Sequence, residues 1–204
     1  MSENIRVENG ALVLQALRTE EGEYTSARIY TNGILDFQYG EVVVEAKLPQ
    51  GAGTWPAIWL RTEESTSSSI AIMEAQGARP NLIFGNVHNV VTADTGDNPF
   101  VGQLEILDLY TEFHAYGVEW EPDVIRFTLD GNVYHQVDRF SEQAGVWPFD
   151  QKFHLVINLA MGGDWSESLS QRLSLGFENG IDNSQEENWK FYIRSIRYYP
   201  YIGE

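Results

Sequence analysis

Apolar and polar residues alternate with a period of two along most of this 204-residue chain, which commits it to β-structure. Strand-like runs fall at 40–48, 70–75, 82–88, 153–160 and 191–199, and turn-rich clusters at 31–33, 49–53, 93–99 and 178–184 separate such runs. The clearest hairpin lies within 124–137, where Asp130-Gly131 stands between alternating residues and offers the positive φ that a two-residue turn demands. Helices are expected to be short and few. No internal repeat marks a propeller or solenoid, so the predicted architecture is all-β, two packed antiparallel sheets in one domain over 1–204.

Charge narrows the partners. A formal net charge of -17 disfavours nucleic acid and anionic membranes, whose binding depends on Lys and Arg neutralising phosphates. It also counts against a heavily sulfated polysaccharide, so a neutral glycan fits better; the same acidity equally serves solubility. Cysteine is absent, which removes disulfides and thiolate chemistry. There is no run of about 18 apolar residues and no charged-then-apolar start, so neither a membrane span nor a signal peptide is expected. Six Trp, ten Tyr and ten Phe exceed what a core alone needs, and aromatic planes are the surfaces on which sugar rings stack.

The segment Ser69-Ile-Ala-Ile-Met-Glu74 carries the chemistry. Retaining glycosidases use two carboxyl groups about 5–5.5 Å apart, one attacking the anomeric carbon and one protonating the leaving oxygen. Alternate positions on one strand face supply that separation, and a third carboxylate between them adjusts the other two. The segment resembles the Glu-x-Asp-x-x-Glu signature of glycoside hydrolase family 16, the laminarinase and agarase group of β-jelly rolls. Thr25-Ser-Ala-Arg-Ile-Tyr-Thr31, Tyr39-Gly40, Lys47-Leu-Pro49, Gly53-Thr-Trp-Pro-Ala-Ile-Trp59 and Gly85-Asn-Val-His88 support the resemblance. So do Val118-Glu-Trp-Glu-Pro-Asp123, Pro148-Phe-Asp-Gln-Lys-Phe153 and Asn158-Leu-Ala-Met-Gly-Gly163.

The resemblance implies a β-jelly-roll sandwich with a concave carbohydrate cleft, and retaining hydrolysis of internal β-1,3- or mixed-linkage β-glucan in an intact member. Agarase- or carrageenase-type specificity and a non-catalytic glucan-recognition module are the alternatives. It places the nucleophile at Ser69, the assisting aspartate at Ala71 and the acid/base at Glu74, of which only Glu74 matches. A serine hydroxyl is short and un-ionised, with no neighbouring base visible in the sequence, so very low hydrolysis is expected. A relative that abandoned catalysis and a hydrolase disabled at its nucleophile would leave the same pattern. The extra residue at Met73 puts Glu74 on the wrong face unless a β-bulge absorbs one position.

By the same resemblance Arg28, Trp55, His88 and Asn158 are candidate sugar contacts; Trp59, two strand periods from Trp55, joins them by sharing its face, and Trp165, after Gly162-Gly-Asp, as a rim residue. A solvated ion pair for Arg28, core packing for Trp59, a structural histidine for His88 and a buried amide for Asn158 are the competing readings. His114, His135 and His154 lack metal-site spacing and read as structural, and Trp120 and Trp147 as packing or edge residues. Arg194 stands where an aspartate often helps to hold a structural calcium in the family, so no cofactor or metal is expected. The remaining expectations are a monomer that binds a neutral polysaccharide, and an extracellular or periplasmic parent protein.

Overall fold

The computed structural model describes residues 2–65, 67–95, 98–141 and 146–203, without the side chains at 2, 93–95, 165–167, 169 and 172. Two large antiparallel sheets account for most of the strands. One sheet runs, edge to edge, Ile5–Glu8, Ala11–Gln15, Lys190–Tyr199, Gly40–Lys47, His114–Glu121, Val124–Leu129 and Asn132–Asp138. The other runs Gly102–Glu105, Leu82–His88, Ser69–Ala75, Thr54–Arg61, Phe153–Met161 and Arg28–Tyr30, with Asp36–Phe37 also pairing Phe153–Met161. The predicted strand runs thus recur within a residue or so of their expected bounds.

The core lies between the sheets and follows the alternation. Val42, Val44 and Ala46 from the first sheet meet Ile58, Leu60, Leu155, Ile157 and Leu159 from the second, all essentially buried. Each such side chain gains roughly 1.5–3 kcal/mol by leaving water, so a register slip that turned one strand over would be costly. Gly85 shows how tightly the layers close: a Cβ there would lie 2.8 Å from the Phe127 ring and 2.5 Å from the Tyr134 hydroxyl oxygen. At the hairpin, Asp130 (φ 50°) and Gly131 (φ 76°) form the two-residue turn, with Leu129 facing Asn132.

The 93–99 cluster is only partly a turn, because Val90–Thr95 is helical. Asn89 caps that helix: its Oδ1 accepts from the Val91 and Thr92 amides at 3.0 and 3.1 Å, and its own amide donates to Thr92 Oγ1 at 3.0 Å. Such a cap is worth about 1 kcal/mol and was readable in Asn89-Val-Val-Thr92. A ten-residue helix, Gly163–Arg172, follows the Phe153–Met161 strand. Trp120 and Trp147 are framework residues, their indole N–H groups donating to the Phe149 and Pro122 carbonyls.

Candidate active site

The Ser69–Ala75 strand departs once from strict alternation. Met73 pairs with Ile58 but Ala71 pairs with the next residue, Trp59, so Ile72 has no opposite number; the neighbouring strand on the other side shows the same step, with Glu74 facing Phe84 and Ala71 facing Asn86. This is the expected bulge. Ile70, Ile72, Met73 and Ala75 enter the core, whereas Ser69, Ala71 and Glu74 line the opposite face.

Neighbouring strands present their alternate residues to that face. Thr54–Arg61 contributes Trp55, Ala57, Trp59 and Arg61; Phe153–Met161 contributes His154, Val156, Asn158 and Ala160; Leu82–His88 contributes Phe84, Asn86 and His88; and Arg28–Tyr30 contributes Arg28 and Tyr30. They enclose three adjoining cavities of about 540, 260 and 290 Å3. The first and second share Trp55, Glu74 and His88, and the second and third share Arg28 and Trp59, which makes one groove with Glu74 in its interior.

Glu74 is held at both oxygens, Oε1 accepting from Trp55 Nε1 at 3.2 Å and Oε2 from Asn86 Nδ2 at 2.8 Å. Trp55 therefore orients the acid as well as offering its ring. Trp59 donates from Nε1 to Asn158 Oδ1 at 2.9 Å, and the Arg28 guanidinium carbon lies 5.8 Å from the Trp59 ring centroid. The Asn158 amide oxygen thus fixes a groove tryptophan. Arg28 forms no salt bridge with a described residue, so its ion-pair reading does not hold. Trp59 is half-buried and lines the groove.

Ser69 stands directly opposite His88 on one neighbouring strand and Arg61 on the other. No base beside Ser69 is visible along the chain, yet His88 lines the same cavity. Among the described residues no hydrogen bond joins them; the His88 ring instead has Nδ1 3.5 Å from Asn98 Nδ2. Ala71 is 4% exposed and can neither accept nor donate a proton toward Glu74. The face therefore holds one carboxylate where the resemblance calls for three.

Sequence reasoning missed Tyr30, Arg61, Arg79, Phe84, Asn86, Asn98 and His154 as groove residues. Tyr30, Arg61 and Asn86 each lie two positions from a candidate already chosen on the same strand, so extending the period of two would have found them. His154 lies in the groove wall, with Nε2 3.9 Å from Glu63. His114 instead anchors the hairpin through Asp130, 2.8 Å from Nδ1, and His135 binds the Phe100 carbonyl. Arg194 pairs with Glu45 and stacks on Phe113. The Trp165 side chain lies outside the described residues.

Comparison with known proteins agrees with this geometry. The family model for Glycosyl hydrolases family 16 matches residues 1–174. A β-glucanase of Rhodothermus marinus is 37% identical over 178 residues, 80% of this chain and 62% of the relative, so the chain spans less than two thirds of that curated protein. The X-ray structure of the laminarinase from Rhodothermus marinus superposes with a TM-score of 0.84 at 31% identity, covering 100% of this chain and 82% of the other. A glutamate-to-serine mutant of SCLam, a non-specific endo-β-1,3(4)-glucanase, superposes with a TM-score of 0.81 at 31% identity, covering 98% and 78%. That mutant holds 1,3-β-D-cellobiosyl-glucose at its active site. A β-jelly-roll sandwich, a groove of alternating strand residues around one glutamate, and a family match over most of the length lead to one conclusion: the chain belongs to glycoside hydrolase family 16.

Proposed function

We propose that the groove binds an internal stretch of a β-1,3- or mixed-linkage β-glucan backbone and that this chain cleaves it very slowly or not at all. The observation that carries the reading is the Ser69–Ala75 strand itself: the bulge keeps Glu74 among Trp55, Asn86 and His88, while positions 69 and 71 offer no carboxylate. In an intact site, a carboxylate at 69 would attack the anomeric carbon while Glu74 protonates the departing oxygen. Glu74 would then take a proton from the water that releases the sugar with retained configuration. Here the acid has no nucleophile to act with. The relatives that act on β-glucans, and the glutamate-to-serine mutant with an oligosaccharide in place, support binding without turnover.

Affinity electrophoresis with laminarin, lichenan, agarose and carrageenan, alongside a reducing-sugar assay, tests both halves. Retardation by laminarin or lichenan with no sugar release is expected, and Trp59→Ala weakens retention about tenfold through loss of stacking area. Sugar release at catalytic protein levels overturns the inactivity; failure to bind any of the four polymers overturns the groove assignment.

A further inference from the structure

The overall charge and the charge of the groove have opposite signs. Acidic residues outnumber basic ones 30 to 13 in the chain. Among the described residues lining the groove, however, Arg28, Arg61 and Arg79 meet only two carboxylates, Glu63 and Glu74. Both carboxylates are engaged elsewhere. Glu74 accepts from Trp55 and Asn86, while Glu63 accepts from Asn32 Nδ2 at 3.2 Å and lies 3.9 Å from His154 Nε2.

None of the three groove arginines has a carboxylate within salt-bridge distance among the described residues, whereas Arg6 and Arg194 each have one and Arg126 and Arg139 each have two. Arg61 is the sharpest case, because its Nε–H is buried with no acceptor among the described residues. The cause is local: Arg61 is the cross-strand neighbour of Ser69, so a carboxylate at that position would sit beside it. Carboxylates at 69 and 71 would leave the groove with four negative charges against three positive. Serine and alanine turn that balance around.

Resting on the β-glucan reading, we infer that the groove takes a glucan chain bearing sparse anionic substituents, carboxylate or sulfate, on sugars to either side of Glu74. One substituent meets Arg28 and Arg61 in the cavity of about 290 Å3, where the stack on Trp59 holds the Arg28 guanidinium; another meets Arg79 in the cavity of about 540 Å3. Guanidinium groups suit planar or multidentate oxyanions, and their charge-assisted bonds are the strong ones. The acidic exterior does not cancel this attraction. At physiological salt the screening length is about 8 Å, shorter than the roughly 10 Å between packed sheets, so carboxylates on the far sheet act weakly in the groove. They still repel a densely charged polymer on approach, which is why the substituents are sparse.

Calorimetry at physiological salt with laminarin, lightly carboxymethylated laminarin, lightly sulfated laminarin and carboxymethyl dextran decides the matter. One or both substituted laminarins should bind about tenfold tighter than laminarin, the gain expected of one added charge-assisted contact, and whichever gains identifies the anion. Arg61→Gln and Arg79→Gln should each cut that advantage to roughly threefold or less, with melting midpoints checked to exclude loss of fold. Laminarin binding as tightly as both substituted forms overturns the inference and leaves the glucan reading standing. Carboxymethyl dextran binding as tightly as carboxymethylated laminarin also overturns it, because attraction would then ignore the backbone. If no laminarin binds in any form, the glucan reading itself fails.

Discussion

The two faces of the Ser69–Ala75 strand have met different demands. On the inner face Ile70, Ile72, Met73 and Ala75 are packed to within about 1% of full burial, and the bulge that lets Ile72 and Met73 both point inward is intact. On the outer face Ser69 and Ala71 line the groove where the family resemblance calls for carboxylates. The difference teaches that fold and chemistry are separable here: inner residues are held by burial worth roughly 1.5–3 kcal/mol each, while neither outer carboxylate is needed to close a core. Carboxylates that crowd one another repel, so a groove face without them need not cost stability.

The comparison breaks most directly if the outer face alone restores chemistry. Ser69→Glu with Ala71→Asp should raise laminarin hydrolysis on the order of a thousandfold or more, since removing a nucleophile from an otherwise intact site costs up to roughly a millionfold. Anomer-resolved NMR should then show retention. If the double variant stays inactive on laminarin, lichenan, agarose and carrageenan alike, the groove has lost more than two carboxylates.

The inner face should answer in stability. Deleting Ile72 removes the bulge and restores strict alternation, with Met73 inward and Glu74 still on the groove face, so the cooperative unfolding transition should survive by near-UV circular dichroism, at a stability lowered by the loss of one buried isoleucine. Met73→Ala, which leaves the bulge in place, should cost about 2–5 kcal/mol in urea denaturation. Loss of the transition in the deletion variant would mean that the neighbouring strands require the bulge itself and not merely the alternation it preserves.

Much of this strand was legible in the sequence, because the period of two and the six-residue spacing together demanded a bulge. The sequence also named Trp55, Trp59, His88, Arg28 and Asn158, all of which converge on one groove. What it hid was pairing across strands. That Arg61 and His88 flank Ser69, or that Asn86 and Trp55 hold the two Glu74 oxygens, depends on registers between segments distant in the chain. The helix at Val90–Thr95 was missed for a different reason: the small and polar residues at 93–99 read as turn, while the Asn89 cap upstream decided the outcome.

Inner packing also predicts a response to alkali. Tyr110, Tyr116 and Tyr134 have buried hydroxyls without hydrogen-bond partners among the described residues, and burial pushes all three pKa values up. Below about pH 10 folded and unfolded chains both keep these protons, and stability is unaffected. Above it the unfolded chain releases protons that the folded chain retains, so stability falls as pH rises, by about 1.4 kcal/mol per pH unit for each tyrosine. Urea midpoints at pH 9 and 11 measure the loss. An ultraviolet titration in which every tyrosine ionises near pH 10 in the folded protein would contradict it.

The smallest effect should come from Asn86→Ala, and it sharpens the comparison most. Asn86 is 4% exposed, donates to Glu74 at 2.8 Å and leaves its own Oδ1 buried without a partner among the described residues. Truncation removes a useful donor and an unsatisfied acceptor together, so the two contributions offset and stability should change by less than about 1 kcal/mol. In the Ser69→Glu, Ala71→Asp background the same change should lower kcat about tenfold, because Glu74 loses the bond that orients its proton toward the leaving oxygen. KM should change less than kcat. A residue that served only packing would show the reverse, a clear loss of stability with kcat unmoved, and would place Asn86 with the inner face despite its position in the groove.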